Sequence, residues 1–213
     1  MTEGAETGPS RPILVTWARP ASSGGSPELA ARVLAPLALA LLSDPTEESL
    51  GRLAVCDAPP FPGPFTSEVE AVARAAASTV LLDARVEFTR LFHSPRGAAC
   101  PPWECVALDS APHLMGPRHE SVLRAFRQVG LEPAGSGGES ADHIGLEIAF
   151  LGLLAERMCA GEDLSGPFDE FWIDHVAPWM PAFASRLASE ARLPLYRAVG
   201  SLLENAVSLP VTG

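Results

Sequence analysis

Apolar residues in this chain return every third or fourth position, and no pair of segments shows the alternation expected of half-buried strands. The clearest case runs from Ser67 to about Phe92. There Val69, Val72, Ala73, Ala76, Val80, Ala84 and Phe88 fall on one side of a single long helix. Ala and Leu dominate and β-branched residues are sparse, which favours helix over sheet. Ser26, Pro27 and Glu28 make a helix start, giving a first helix over Pro27–Leu42. The pattern leaves open whether Pro36 lies inside it.

A second helix opens at Asp44-Pro45, carries Leu50, Leu53 and Ala54 on one side, and stops before PPFPGPF at 59–65. HSPRGAACPPWE is irregular, because its prolines lack N–H donors and obstruct the turn before them. A loop then continues to Gly116. The next helix covers about Arg118 to Val129 and ends at Gly130. After the flexible connector GSGG (135–138), Ser140 caps an apolar helix from Ala141 to about Ala160, with Ile144, Ile148, Leu151, Leu154 and Ala155 inward. Phe168–Ser189 makes a helix bent or restarted near Pro178 and Pro181, and a last one covers about Leu195–Ala206. The expectation is an all-α, single-domain helical bundle over 27–213. A Gly-, Ser- and Pro-rich lead-in at 1–26 precedes it, around the apolar patch Ile13–Trp17.

Charge narrows the partners. With 213 residues, 47% of them hydrophobic, the chain can bury a sizeable core. Its net charge of −11 repels nucleic-acid backbones and anionic membrane surfaces; it favours a cationic partner, although it also simply aids solubility. The N-terminus MTEGAETGPSRP has no apolar export core, and Leu29–Leu42, interrupted by Arg32 and Pro36, is too short to span a bilayer. The expectation is a soluble cytoplasmic protein, without stable membrane insertion, in which Cys56, Cys100, Cys105 and Cys159 are reduced thiols.

Common catalytic signatures fail. There is no glycine-rich phosphate loop, dinucleotide fingerprint, HExxH or CxxC, and Cys100 and Cys105 make a poor metal clip across two prolines. No catalytic residue, metal or cofactor is expected. Three clusters stand out instead. FTRLFHSP (88–95) places Phe88, Leu91 and Phe92 at a helix end, a pattern that core packing also produces. CPPWE (100–104) holds Trp103 on a rigid non-helical segment, where it can line a groove or plug a loop onto the core. Asp142-His143 opens a helix after a Gly-rich loop, where a carboxylate either caps the turn or accepts from a guanidinium that His143 helps to orient. Trp172, Trp179 and Phe183 have the spacing of core residues, beside Asp174 and His175. The alternative is a small helical metal-binding protein or enzyme using Asp142, His143 and Glu147, with His175 as a further member, although Ile144 and Ile148 point to tight packing there.

Five segments, in this order, resemble the TorD/DmsD/NarJ group of redox-enzyme maturation chaperones: EFTRLFHSP (87–95), PPWECVALD (101–109), ADHIGLEIAFLGLLAE (141–156), FDEFWIDHVAPWMPAFASRL (168–187) and LPLYRAVGSLLE (193–204). The resemblance spans about residues 30–206. It implies a helical fold without catalysis or a cofactor of its own. It also implies binding of the twin-arginine leader, and of the catalytic subunit, of a molybdopterin oxidoreductase, delaying export and assisting cofactor insertion. Carried over by position, Phe88, Leu91 and Phe92 line a peptide groove, Pro102 and Trp103 form its rigid wall, Gly116 permits close approach, and Asp142 and His143 are polar anchors. Arg96 stands where some members carry a further aromatic. A leader of arginines followed by an apolar stretch calls for acidic character beside an apolar groove, in keeping with the −11 charge, Asp142 and the aromatic residues. Which oxidoreductase is the client stays open. So does the choice between a monomer and a domain-swapped dimer, since 134–140 has the character of a hinge.

Overall fold

Two long apolar helices, α1 (Ser26–Leu41) and α7 (Ile144–Cys159), lie against each other and form the spine of an all-helical fold. Leu34, Leu37 and Leu41 from one, and Ile144, Ile148, Leu151 and Leu154 from the other, are at most 1% exposed. Each such burial is worth about 1.5–3 kcal/mol relative to leaving the side chain in water. Pro36 lies inside α1. At the junction, a Cβ on Gly145 would stand 2.8 Å from Leu42 Cα and 2.9 Å from its nitrogen, so the glycine lets the start of α7 seat on the end of α1.

The computed structural model describes residues 26–56, 65–94, 97–131 and 139–206. The lead-in before Ser26 with its patch Ile13–Trp17, most of PPFPGPF, Arg96 and the GSGG connector lie outside the described residues. A second layer is built by α3 (Thr66–Ser78), α9 (Met180–Glu190) and α10 (Pro194–Ala206); α10 packs on both of the others and on α1. No strand occurs among the described residues, and no helix among them is long and apolar enough to cross a membrane.

Several boundaries differ from expectation, each for a local reason. The helix expected over Ser67–Phe92 divides into α3 and α4 (Leu81–Phe88), followed by a π-helical turn, Thr89–His93. Thr79 and Val80 are extended, with ψ of 128° and 133°. The hydroxyls of Ser78 and Thr79 donate to the carbonyl of Ala75, the latter at 2.7 Å, and so compete with the backbone for a carbonyl of the last turn. The break resets the phase. Val80, expected inward, is 62% exposed, beside Leu82 at 68%. α2 (Glu47–Leu53) starts later than Asp44-Pro45, because Thr46 and Ser49 cap each other reciprocally at 2.8 and 3.0 Å. Phe168–Ser189 divides into α8 (Ser165–Phe171), a second π-helical turn (Trp172–Val176) and α9, with the interruption near Pro178 as expected. Between them, α6 (Pro117–Gln128) is followed by Gly130 at φ 74°.

Candidate functional site

CPPWE is irregular as expected, but it does more than connect. Residues 102–104 run antiparallel to 142–144 as a single bridge, Trp103 opposite His143. The Ile144 N–H donates to the Pro102 carbonyl and the Glu104 N–H to the Asp142 carbonyl, each at 2.8 Å. Directly afterwards comes a short helix, α5 (Glu104–Leu108), within the stretch read as a loop to Gly116. The bridge also corrects the start of α7. The helix begins at Ile144 rather than Ala141, because Ala141 and Asp142 sit in a turn closed by the His143 N–H on the Ser140 carbonyl and His143 is extended for pairing. His143, not Ser140, is its cap, with Nδ1 accepting the Gly145 N–H at 3.0 Å.

Asp142 is 1% exposed and points inward. Its Oδ2 accepts the Cys105 N–H at 3.0 Å, and its Oδ1 accepts the Ser140 hydroxyl. The carboxylate therefore caps α5 from a distant segment, satisfying a donor that a helix start leaves unpaired. Ser140 in turn accepts the Met115 N–H at 3.2 Å, and the Ala141 N–H donates to His119 Nδ1 at 2.8 Å. Gly116 belongs to the same frame. A Cβ there would lie 2.6 Å from the His113 carbonyl oxygen, so the close approach it permits is that of its own loop.

The aromatic residues form a chain of ring contacts. Phe88, Leu91 and Phe92 are at most 1% exposed and pack on α9 and α10, Phe92 lying 6.4 Å from Phe183 and 5.9 Å from Tyr196. They are core residues here rather than the lining of an open groove. From Phe88 the contacts continue through His93 at 5.3 Å to Trp103 at 6.1 Å, and on to His143 at a further 6.1 Å. Pro102 is buried; Trp103 is half-buried, its indole N–H donating to Glu139 at 2.7 Å. Around this end of the molecule α5 and its following loop expose Val106, Leu108, Leu114 and Met115. Sequence reasoning missed all four, because a five-residue helix and the loop after it are too short to carry a periodic signal. Burial above all drives His143 down to about 4, His93 adding to the shift while Glu139 and Asp142 oppose it, so the ring is neutral. Its Nε2 has no hydrogen-bond partner.

Beneath the bridge lies a buried charged cluster. Glu104, fully buried, accepts from Arg118 of α6 and meets His175 Nδ1 at 3.0 Å. Arg118 also binds Asp109 at 2.8 Å, and His175 Nε2 meets the Ser121 hydroxyl at 3.3 Å. Glu147, equally buried, accepts the Trp179 indole N–H at 3.3 Å through Oε2, while Oε1 has no partner. Burial pushes its carboxyl well above the ordinary range, with Glu104 and Asp142 adding to the effect. Of the alternative set Asp142, His143, Glu147 and His175, Glu147 and His175 come together. Among the described residues, the trio whose ligating atoms all lie within 4.8 Å of one another is Glu104, Glu147 and His175.

Comparison with known proteins fits this architecture. The fold is shared with a candidate redox enzyme maturation protein from Archaeoglobus fulgidus, at a TM-score of 0.56 and 20% identity, over 86% of this chain and 96% of that one. No curated protein matches. Residues 59–185, more than half of the chain and including Trp103, Asp142 and His143, match the family described as nitrate reductase delta subunit, and the chain belongs to that family.

Proposed function

We propose that this protein is a non-enzymatic, cytoplasmic chaperone of redox-enzyme maturation, with residues 27–213 acting as one unit. It holds the twin-arginine leader of a molybdopterin oxidoreductase subunit, delays export and accompanies cofactor insertion. The observation that carries this reading is the half-buried Trp103, fixed by Glu139 and followed in the chain by the exposed Val106, Leu108, Leu114 and Met115 of α5 and its loop. Such a face offers apolar area to the hydrophobic part of a leader, and a rigid aromatic residue loses little entropy on contact. Glu139 and the net charge of −11 attract the arginines.

In this reading the predicted site residues divide by role. Trp103 touches the peptide. Phe88, Leu91 and Phe92 back it from the core, and Pro102, Gly116, Asp142 and His143 hold the frame that presents it. Isothermal titration with leader peptides, beside controls whose two arginines are alanine, tests the proposal. Arginine-dependent binding to one leader is expected and names the client. Equal binding of the control peptides, or none to any leader, would overturn it.

A further inference from the structure

We propose that Glu104, Glu147 and His175 form a buried site for one divalent transition-metal ion of the zinc class, separate from the leader-binding face. The three come from three elements: the first residue of α5, the first turn of α7, and the π-helical turn before α9. Their ligating atoms lie within 4.8 Å of one another, and Glu104 and Glu147 are 0% exposed. Zinc takes oxygen and nitrogen ligands at about 2.0–2.2 Å, which places ligand atoms about 3.3–3.6 Å apart, so the trio needs to tighten by about 1.5 Å at most.

Two observations point to an ion rather than to a self-contained network. Glu147 Oε1 is fully buried and has no hydrogen-bond partner. Leaving such an atom unpaired is costly, and a bound ion is one of the few things that relieves the cost. Second, the donor set balances: two carboxylates neutralise a divalent cation in a low-dielectric interior, and an imidazole suits zinc and its neighbours. The surroundings orient each ligand. Arg118 holds Glu104, Trp179 holds Glu147 Oε2, and Ser121 holds His175 Nε2, leaving Nδ1 turned to Glu104. Such an ion would join α5, α7 and the turn before α9 at the base of the bridge that presents Trp103.

The test uses the full chain, stripped with EDTA, then titrated with zinc chloride and, separately, cobalt chloride. A second sample is refolded from urea with one equivalent of zinc, so that slow entry to a buried site cannot hide binding. One retained ion per chain by mass spectrometry and a raised Tm are expected, with a cobalt spectrum that lacks a thiolate charge-transfer band. Glu147→Gln, which keeps the shape of the neutral side chain, and His175→Gln each lower affinity at least tenfold; the exposed control His113→Gln does not. The proposal is overturned if refolded protein retains no ion, if both ligand variants bind as wild type does, or if the thiolate band assigns the metal to cysteine.

Discussion

The indole N–H of Trp103 and the carboxylate of Glu139 meet at 2.7 Å, although the two residues are 36 positions apart. This bond fixes the ring while leaving it half-exposed, a state in which an aromatic side chain contributes contact area at small entropic cost. Trp103→Ala is expected to weaken leader binding by about 1–3 kcal/mol, in the range for a central aromatic contact. Trp103→Phe, which keeps the ring but not the bond, should fall between. Unchanged calorimetric affinity for a folded Trp103→Ala protein would remove the ring from the site.

Asp142→Ala should act on the fold before it acts on the peptide. It strands the Cys105 N–H and removes the acceptor of the Ser140 hydroxyl, both inside the protein. The expected loss is about 1–3 kcal/mol in urea denaturation. A wild-type denaturation midpoint together with weakened leader binding would instead return Asp142 to the role of an arginine anchor.

The share of the stability carried by His143 should fall as the pH drops below about 6.5, against the opposite contribution of Glu147, whose carboxyl burial pushes up. His143 caps α7 through an unprotonated Nδ1, and its ring is buried, so the folded chain takes up this proton only near pH 4, against about 6.5 in an unfolded chain. Between those values the unfolded state binds more protons. The contribution is therefore complete above about pH 6.5 and is lost progressively towards pH 4, by up to about 3 kcal/mol. His143→Asn, which can still cap the helix, should flatten this part of the profile. A denaturation profile as steep in the variant as in wild type would assign the loss to other groups.

Two glycine substitutions should have opposite signs. Gly145→Ala drives a Cβ to 2.8 Å from Leu42 Cα and should cost about 1–3 kcal/mol by forcing α1 and α7 apart. Gly51→Ala, in exposed α2 with nothing within 4 Å of the new atom, should stabilise by about 0.5–1 kcal/mol. Thermal unfolding of both variants distinguishes packing from helix propensity. A neutral Gly145→Ala would mean that the α1–α7 contact yields.

Local rules were enough for much of this protein. The three-to-four spacing of Leu, Ala and Val, the helix stop at Gly130 and the prolines of CPPWE are short-range features, and they made the all-helical class and most helices legible from the residues alone. Spacing says that a residue is buried, however, and not what it meets. The same pattern that marks Phe88, Leu91 and Phe92 as an apolar cluster fits a groove lining or a core equally, and packing on α9 and α10 decided for the core. Likewise, Asp142 was read as the opening of a helix. It became the cap of a different one, because the pairing of His143 with Trp103 brings the Asp142 carboxylate to the start of α5. The meeting of Glu104 with His175, 71 positions away, and with Glu147 has no local signature at all. Only the packing of α5, α7 and the turn before α9 brings those three side chains to one place, and burial there pushes the Glu147 carboxyl well above its ordinary range.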